Sequence, residues 1–282
     1  MNRLVGETYS KRLFVFWIPL FLFVFVLLFP FFWMLITSIK TDAELYNRRI
    51  SPFLVRDPTL DHWKLLFNDT LFVQWAWNTL WVACASTGIS LFAGVLGGYA
   101  LSRLVFPGST IFSIWIFITY LVPPALLFIP LTGVMSFLGL HDSRLSLVFS
   151  YPTFLVPFCI WLLIGYFQTI PKELEECARI DGATRIQAMV KIVFPLAIPG
   201  ILSAGIFAFT LSWNEFLYAL VFLSSPENKT VPVGVTGELV LGDVFFWGPL
   251  MAGALFGSVP IAIIYSFFVE HYVSGMTGAV KG

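Results

Sequence analysis

The residues best placed to do chemistry in this chain form one charged segment between two apolar stretches. It reads Ile170-Pro-Lys-Glu-Leu-Glu-Glu-Cys-Ala-Arg-Ile-Asp-Gly-Ala183 and runs on to Ile192-Val-Phe-Pro195. Pro171 suits the first position of a helix, and Glu173, Glu175 and Glu176 put negative charge in the first turns, where the helix dipole favours it. Glu175 and Arg179 stand four residues apart in the favourable order. Leu174, Cys177 and Ala178 share one face as a small, smooth apolar strip, and Gly182 permits a tight helix end. A short helix of this kind, held outside a bilayer, is shaped to dock in a groove on another protein. A helix that lies on lipid favours a Lys/Arg-rich polar face and bulky aromatics. Three glutamates, and no aromatic until Phe194, argue for protein as the partner.

Other chemistries find no footing. His62, His141 and His271 fall in loops or at the end of an apolar stretch, so none is placed for acid–base work or metal ligation inside a membrane, and no metal site is expected. There is no Gly-x-x-x-x-Gly-Lys-Ser/Thr phosphate loop, so the chain does not hold ATP by that route. Cys84, Cys159 and Cys177 cannot build a disulfide framework and read as free thiols. Glu215, beside Trp213 and Asn214, is the one carboxylate inside or at the edge of an apolar stretch. An ionisable group there is a functional candidate, so Asn214 and Glu215 are the candidates for a solute pathway, with a hydrogen-bonded structural role as the alternative.

The elements that must position these residues are membrane spans. Of the 282 residues, 58% are hydrophobic and 11% charged, with mean hydropathy +0.87. A soluble domain is roughly 25% charged, so this composition excludes one. A spanning helix takes roughly 20 mostly apolar residues, and six stretches qualify, at about 13–38, 75–102, 110–136, 145–167, 198–223 and 247–269. The first follows Arg3, Lys11 and Arg12 as a signal peptide would, but it is too long and no small-x-small site follows, so it is expected to be retained. The expectation is an all-α membrane protein of one domain, residues 1–282. Pro123, Pro124 and Pro130 in the third span, and Gly94, Gly97 and Gly98 in the second, fit either kinks and close helix packing or a gate. Phe contributes 31 residues, and these read as lipid-facing or packed rings rather than sugar-stacking surfaces.

Six spans put both termini on one side. If that side is the cytosol it holds nine of the 16 basic residues, the seven others being Lys40, Arg48, Arg49, Arg56, Lys64, Arg144 and Lys229. That bias agrees with the positive-inside rule only weakly. Lys plus Arg equals Asp plus Glu, which gives no reason to expect nucleic acid as a partner.

The spacing of the charged segment carries a resemblance. Glu176-Cys-Ala178, Gly182 four residues on, nine residues to Ile192, and Phe194-Pro195 look like the cytoplasmic loop of ABC importer permeases, with Cys177 and Phe194 replacing an alanine and a leucine of the family pattern. Asn78-Thr-Leu80, Tyr99-Ala-Leu-Ser-Arg103 with Phe106-Pro-Gly108, Trp213-Asn-Glu-Phe216 and Gly275-Met-Thr-Gly-Ala-Val-Lys-Gly282 extend it over nearly the whole chain. Together they resemble the six-span subunit of maltose-type carbohydrate permeases.

The resemblance implies a type I ABC importer permease fold, in a bacterial inner membrane with both termini cytoplasmic. It implies a coupling loop over 168–197, in which Glu175, Glu176, Cys177, Ala178, Asp181, Gly182, Ala183 and Pro195 meet the ATPase. It also implies a tail, 270–282, whose Gly275, Thr277, Gly278 and Lys281 reach the ATPase dimer. The implied partners are a homologous second permease, two copies of a cytosolic ATPase carrying ATP and Mg, a periplasmic binding protein, a sugar-like solute and membrane lipid. No cofactor is implied for this chain. An ion-coupled secondary transporter needs charges near the midplane, and an intramembrane enzyme needs a nucleophile with its base. The spans supply neither.

Overall fold

A computed structural model describes residues 13–278 except Arg48 and Val105, with the backbone alone from 269 onward. Among the described residues five helices are long and apolar enough to cross a membrane, and two helices meeting at a bend together make a sixth candidate. The chain resolves into two compact units, one holding residues up to Thr70 with Gly237–Ser258, the other Leu71–Thr236 and residues from Val259 on.

The first unit contains helix α1, Leu13–Ser38, whose apolar side chains are exposed almost throughout. A helix apolar on all sides needs lipid or protein around it. The polar connection after it folds back on itself. The Lys40 ammonium donates to Pro52 O (2.6 Å), His62 Nε2 bonds Lys40 O (2.7 Å), and Glu44 Oε1 accepts from the backbone N–H groups of Arg56 and Asp57.

The second unit is built on α2, Phe72–Arg103, at 32 residues about 48 Å long. It packs along α5, Arg144–Thr169, and against α7, Arg185–Trp213. Glycines let α2 and α5 approach. A Cβ on Gly94 would lie 2.5 Å from Cys159 Cβ, and one on Gly98 would lie 2.9 Å from Leu163 Cβ. The packing reading of the glycine run therefore holds, as small residues allow backbones to meet without a hydrophobic drive from water. The core between these helices contains Val82, Leu147, Tyr151, Leu155, Cys159 and Ala208.

Two spans differ from the sequence reading. The stretch 110–136 is not one helix but α3, Ser109–Leu121, and α4, Pro124–Phe137, bent by 95°. Pro123 and Pro124 cause this, because a proline bars the α conformation to the residue before it and removes an N–H. Val122 and Pro123 accordingly have ψ of 123° and 124°. The stretch 198–223 also fails as a single helix. Helix α7 starts earlier, at Arg185, and stops at Trp213; a new helix, α8, runs over Leu217–Phe222. Within α7, residues Met189–Val193 form a π turn just ahead of Pro195.

The loop 224–246 is also more ordered than its composition suggests, holding helix α9, Val231–Leu239, and a two-residue hairpin. The last helix, α10, covers Trp247–Gly278. The expected tail thus begins as helix, with Gly275, Thr277 and Gly278 on its backbone and Lys281 beyond the described residues.

Candidate functional site

The charged segment forms helix α6, Glu173–Ile180, between the ends of α5 and α7. Its start is acidic and Arg179 sits in its last turn, both matched to the dipole. None of its residues is buried, and Ile180 is 83% exposed. Its end is a Schellman turn: Ala183 N donates to Ala178 O (3.0 Å) and Gly182 N to Arg179 O (3.2 Å). Gly182 has φ +92°, in the left-handed region that only glycine enters without cost. Thr184 and Gln187 then cap the next helix reciprocally, Gln187 N to Thr184 Oγ1 and Thr184 N to Gln187 Oε1 (3.2 and 2.8 Å).

An exposed helix can transmit force only if it is fixed to the bundle, and two residues at the end of α2 fix it. Tyr99 donates its phenolic hydrogen to Glu175 Oε1 at 2.5 Å. Arg103 donates to two carbonyls at the end of α5, those of Phe167 and Ile170, the first of which also accepts from Ile170 N. The Tyr99 ring packs edge-on against both Phe167 and Phe194, and Leu163, Val193 and Ala197 complete an apolar plug beneath. The segment therefore stands on a pedestal made by α2, α5 and α7 together.

Of the residues expected to act here, Glu176, Cys177, Asp181 and Gly182 are exposed, whereas Glu175, Ala178 and Ala183 are half-buried. Pro195 is exposed near the start of α7. Glu175 departs from expectation, turning to Tyr99 rather than pairing with Arg179. Sequence reading missed Tyr99 and Arg103 as anchors and Ile180 and Ile186 as exposed apolar side chains; Ile186 is 69% exposed. The tyrosine and arginine stood in a quoted motif, but their partners lie 64–76 residues away.

Glu215 has a structural place. Its carboxylate accepts from the N–H groups of Tyr218 (2.8 Å) and Ala219 (3.1 Å), capping α8, and from the Tyr151 hydroxyl (2.9 Å). It holds the start of α8 just after the break in the fifth span. Asn214 donates its amide to Thr210 O at 2.9 Å and is otherwise exposed. No group of three or more His, Cys, Asp or Glu residues able to hold a metal occurs among the described residues.

Multiple apolar spans and an exposed, firmly seated helix between two of them describe a membrane protein with a surface on which another protein can dock. Residues 90–278 match the model of the binding-protein-dependent transport system inner membrane component family, and the chain belongs to that family. It is 40% identical over 257 residues to the sulfoquinovosyl glycerol transport system permease protein SmoH of Agrobacterium fabrum, covering 90% of this chain and 89% of that one. It is 37% identical over 271 residues to the inner membrane ABC transporter permease protein YcjP of Escherichia coli, covering 95% and 96%. The trehalose/maltose transport system permease protein MalG of Thermococcus litoralis is 32% identical over 264 residues, covering 93% and 94%. The fold agrees with a chain of a bacterial ABC transporter involved in the import of the acidic polysaccharide alginate, at TM-score 0.78 and 24% identity over 94% of this chain and 99% of that one.

Proposed function

We propose that this chain is one permease subunit of an ATP-driven importer for a sugar or sugar derivative, paired with a homologous second permease. Two copies of a separate ATPase subunit carry ATP and Mg, and a periplasmic binding protein delivers the solute. Both termini lie in the cytosol. The observation that carries the reading is helix α6, with no residue buried yet anchored through Tyr99 and Arg103. Its Glu176, Cys177, Asp181 and Gly182 face the ATPase, with Glu175, Ala178, Ala183 and Pro195 setting the angle at which they do so. The end of α10 at Gly275, Thr277 and Gly278, with Lys281, contacts the ATPase pair. The loops 39–74 and 224–246 receive the binding protein. The sugar class is supported by the transport names of SmoH and MalG. Asn214 is the better pathway candidate of its pair, since Glu215 is engaged in capping.

Two substitutions on α6 test this in the assembled importer. Glu176→Lys reverses charge at the docking surface, and Gly182→Val strains a left-handed residue by about 1–2 kcal/mol without a clash, as nothing lies within 4 Å of a Cβ there. Both variants should insert and assemble but lose solute uptake, and ATP hydrolysis should no longer respond to the loaded binding protein. Normal uptake in both would sink the assignment of α6.

A further inference from the structure

At the end of the second unit opposite α6, a cleft opens among Trp77, Trp81, Ser143, Arg144 and Leu145. Trp77 and Trp81 stand one turn apart near the start of α2, and are 62% and 39% exposed. Arg144 is the first residue of α5, at the end of that candidate span. Its one hydrogen bond is from Nη1 to Asn78 Oδ1 at 3.0 Å, a neutral acceptor. Asp142, two residues earlier in the chain, is engaged by the N–H groups of Ser224 and Ser225 and by the Ser225 hydroxyl. A half-buried cation thus faces the cleft with no carboxylate bonded to it among the described residues. Toward the middle of the membrane the same side of α2 continues as an exposed apolar strip through Cys84 and Ile89 to Phe92, which is 70% exposed.

A cation at the end of a span, two tryptophans beside it and an apolar strip leading inward match an amphiphile with an anionic head. Tryptophan collects at the headgroup level, and basic side chains there attract anionic lipid. A sugar would use the two rings but has no need of a guanidinium held only by a neutral amide, or of the strip. We propose that this cleft binds an anionic phospholipid, its phosphate on Arg144 and Ser143, its glycerol region against Trp77 and Trp81, and an acyl chain along α2.

The test is native mass spectrometry of the assembled importer, released from mild detergent containing equal phosphatidylglycerol and phosphatidylcholine. Wild type should retain phosphatidylglycerol in preference, and Arg144→Gln should lower that retention about fivefold, the effect of one interfacial cation. Arg144→Lys should keep most of it. The double variant Trp77→Ala, Trp81→Ala should lose it too while leaving the Asn78 bond in place, which covers the case in which Arg144→Gln disturbs folding. Equal retention in wild type and both loss variants would overturn the proposal. So would displacement of the lipid by millimolar inorganic phosphate, which would make this a free-anion site, or by the transported sugar. A cross-link from position 81 to the second permease would give the strip to that subunit instead.

Discussion

The two ends of helix α2 do opposite jobs with similar means. At one end Trp75 and Gln74 donate to the carbonyls of Pro226 and Glu227, and Asn78 donates to those of Glu227 and Lys229. Thr79 Oγ1 accepts from Val231 N, so the chain from 226 to 231 is sewn down over a buried Trp75, Asn78 and Thr79. At the other end Tyr99 and Arg103 make three bonds to residues of α5 and α6, and the helix they hold stays in the open. The first end is closed by the chain's own loop. The second is finished only when another protein covers α6, as a surface with this much exposed Leu174, Ile180 and Ile186 would otherwise be a liability in water.

The comparison breaks most thoroughly in the middle. Gly94→Leu would drive a side chain into the α5 backbone at Cys159 and part the helices that carry both ends. Overpacking of this kind costs about 3 kcal/mol, so thermal unfolding of the solubilised complex should drop sharply and both the outer clamp and uptake should fail.

Next in size is Arg103→Leu, which removes the bonds to the carbonyls of Phe167 and Ile170. Bonds from a charged donor contribute about 1.5–3 kcal/mol, and here they tie α2 to the exit of α5 that feeds α6. Uptake should fall severely with a moderate fall in melting temperature. Asn78→Leu at the far end removes three bonds, two to loop carbonyls and one from Arg144, and should lower the melting temperature at least as much, yet leave ATP hydrolysis and uptake linked. If the two variants behave alike, the distinction between a clamp and a lever is wrong.

This contrast explains what could be read from the sequence. The spans announce themselves through run length, because a bilayer admits only helices with every backbone group satisfied. Helix α6 was legible too, as a dipole-matched amphipathic stretch ending in a glycine that takes φ +92°. The breaks were less so. Pro123 and Pro124 marked the third span as kinked but not by 95°, and nothing local shows that Glu215 turns back to cap α8. Anchors such as Tyr99 to Glu175 join residues 76 apart, and side-chain partners at that separation follow from the packing of three helices rather than from any one of them.

A smaller effect tests the lever alone. Tyr99→Phe removes one hydroxyl and its bond to Glu175 but keeps the ring between Phe167 and Phe194. The cost is about 1–2 kcal/mol, borne by the seating of α6 rather than by the core. Melting should hardly change, while transport per ATP hydrolysed should fall several-fold. An unchanged ratio would mean that the aromatic plug alone seats the helix.

The smallest effect concerns the outer clamp and acidity. Asp142, at φ +56°, accepts from Ser224 N, Ser225 N and the Ser225 hydroxyl, and Asn228 donates to its carbonyl. These bonds, the Ser225 hydroxyl foremost, hold its carboxyl down at about 2, against about 3.9 in an unfolded chain. Because the folded value is the lower one, the unfolded chain takes up the proton first. The contribution is therefore whole above about pH 4 and lost only as pH falls toward 2. Amide exchange across 223–230, corrected for its intrinsic pH dependence, should show constant protection from neutral pH down to about pH 4.5. Asp142→Asn keeps the left-handed turn, which asparagine tolerates, but sets an amide donor against the Ser225 hydroxyl. Protection there should be modestly and uniformly lower across that range, with α6 unaffected. A wild-type loss of protection already between pH 6 and about pH 4.5 would show that the carboxylate is not the group holding the loop, and the outer end would then rest on Trp75, Asn78 and Thr79 alone.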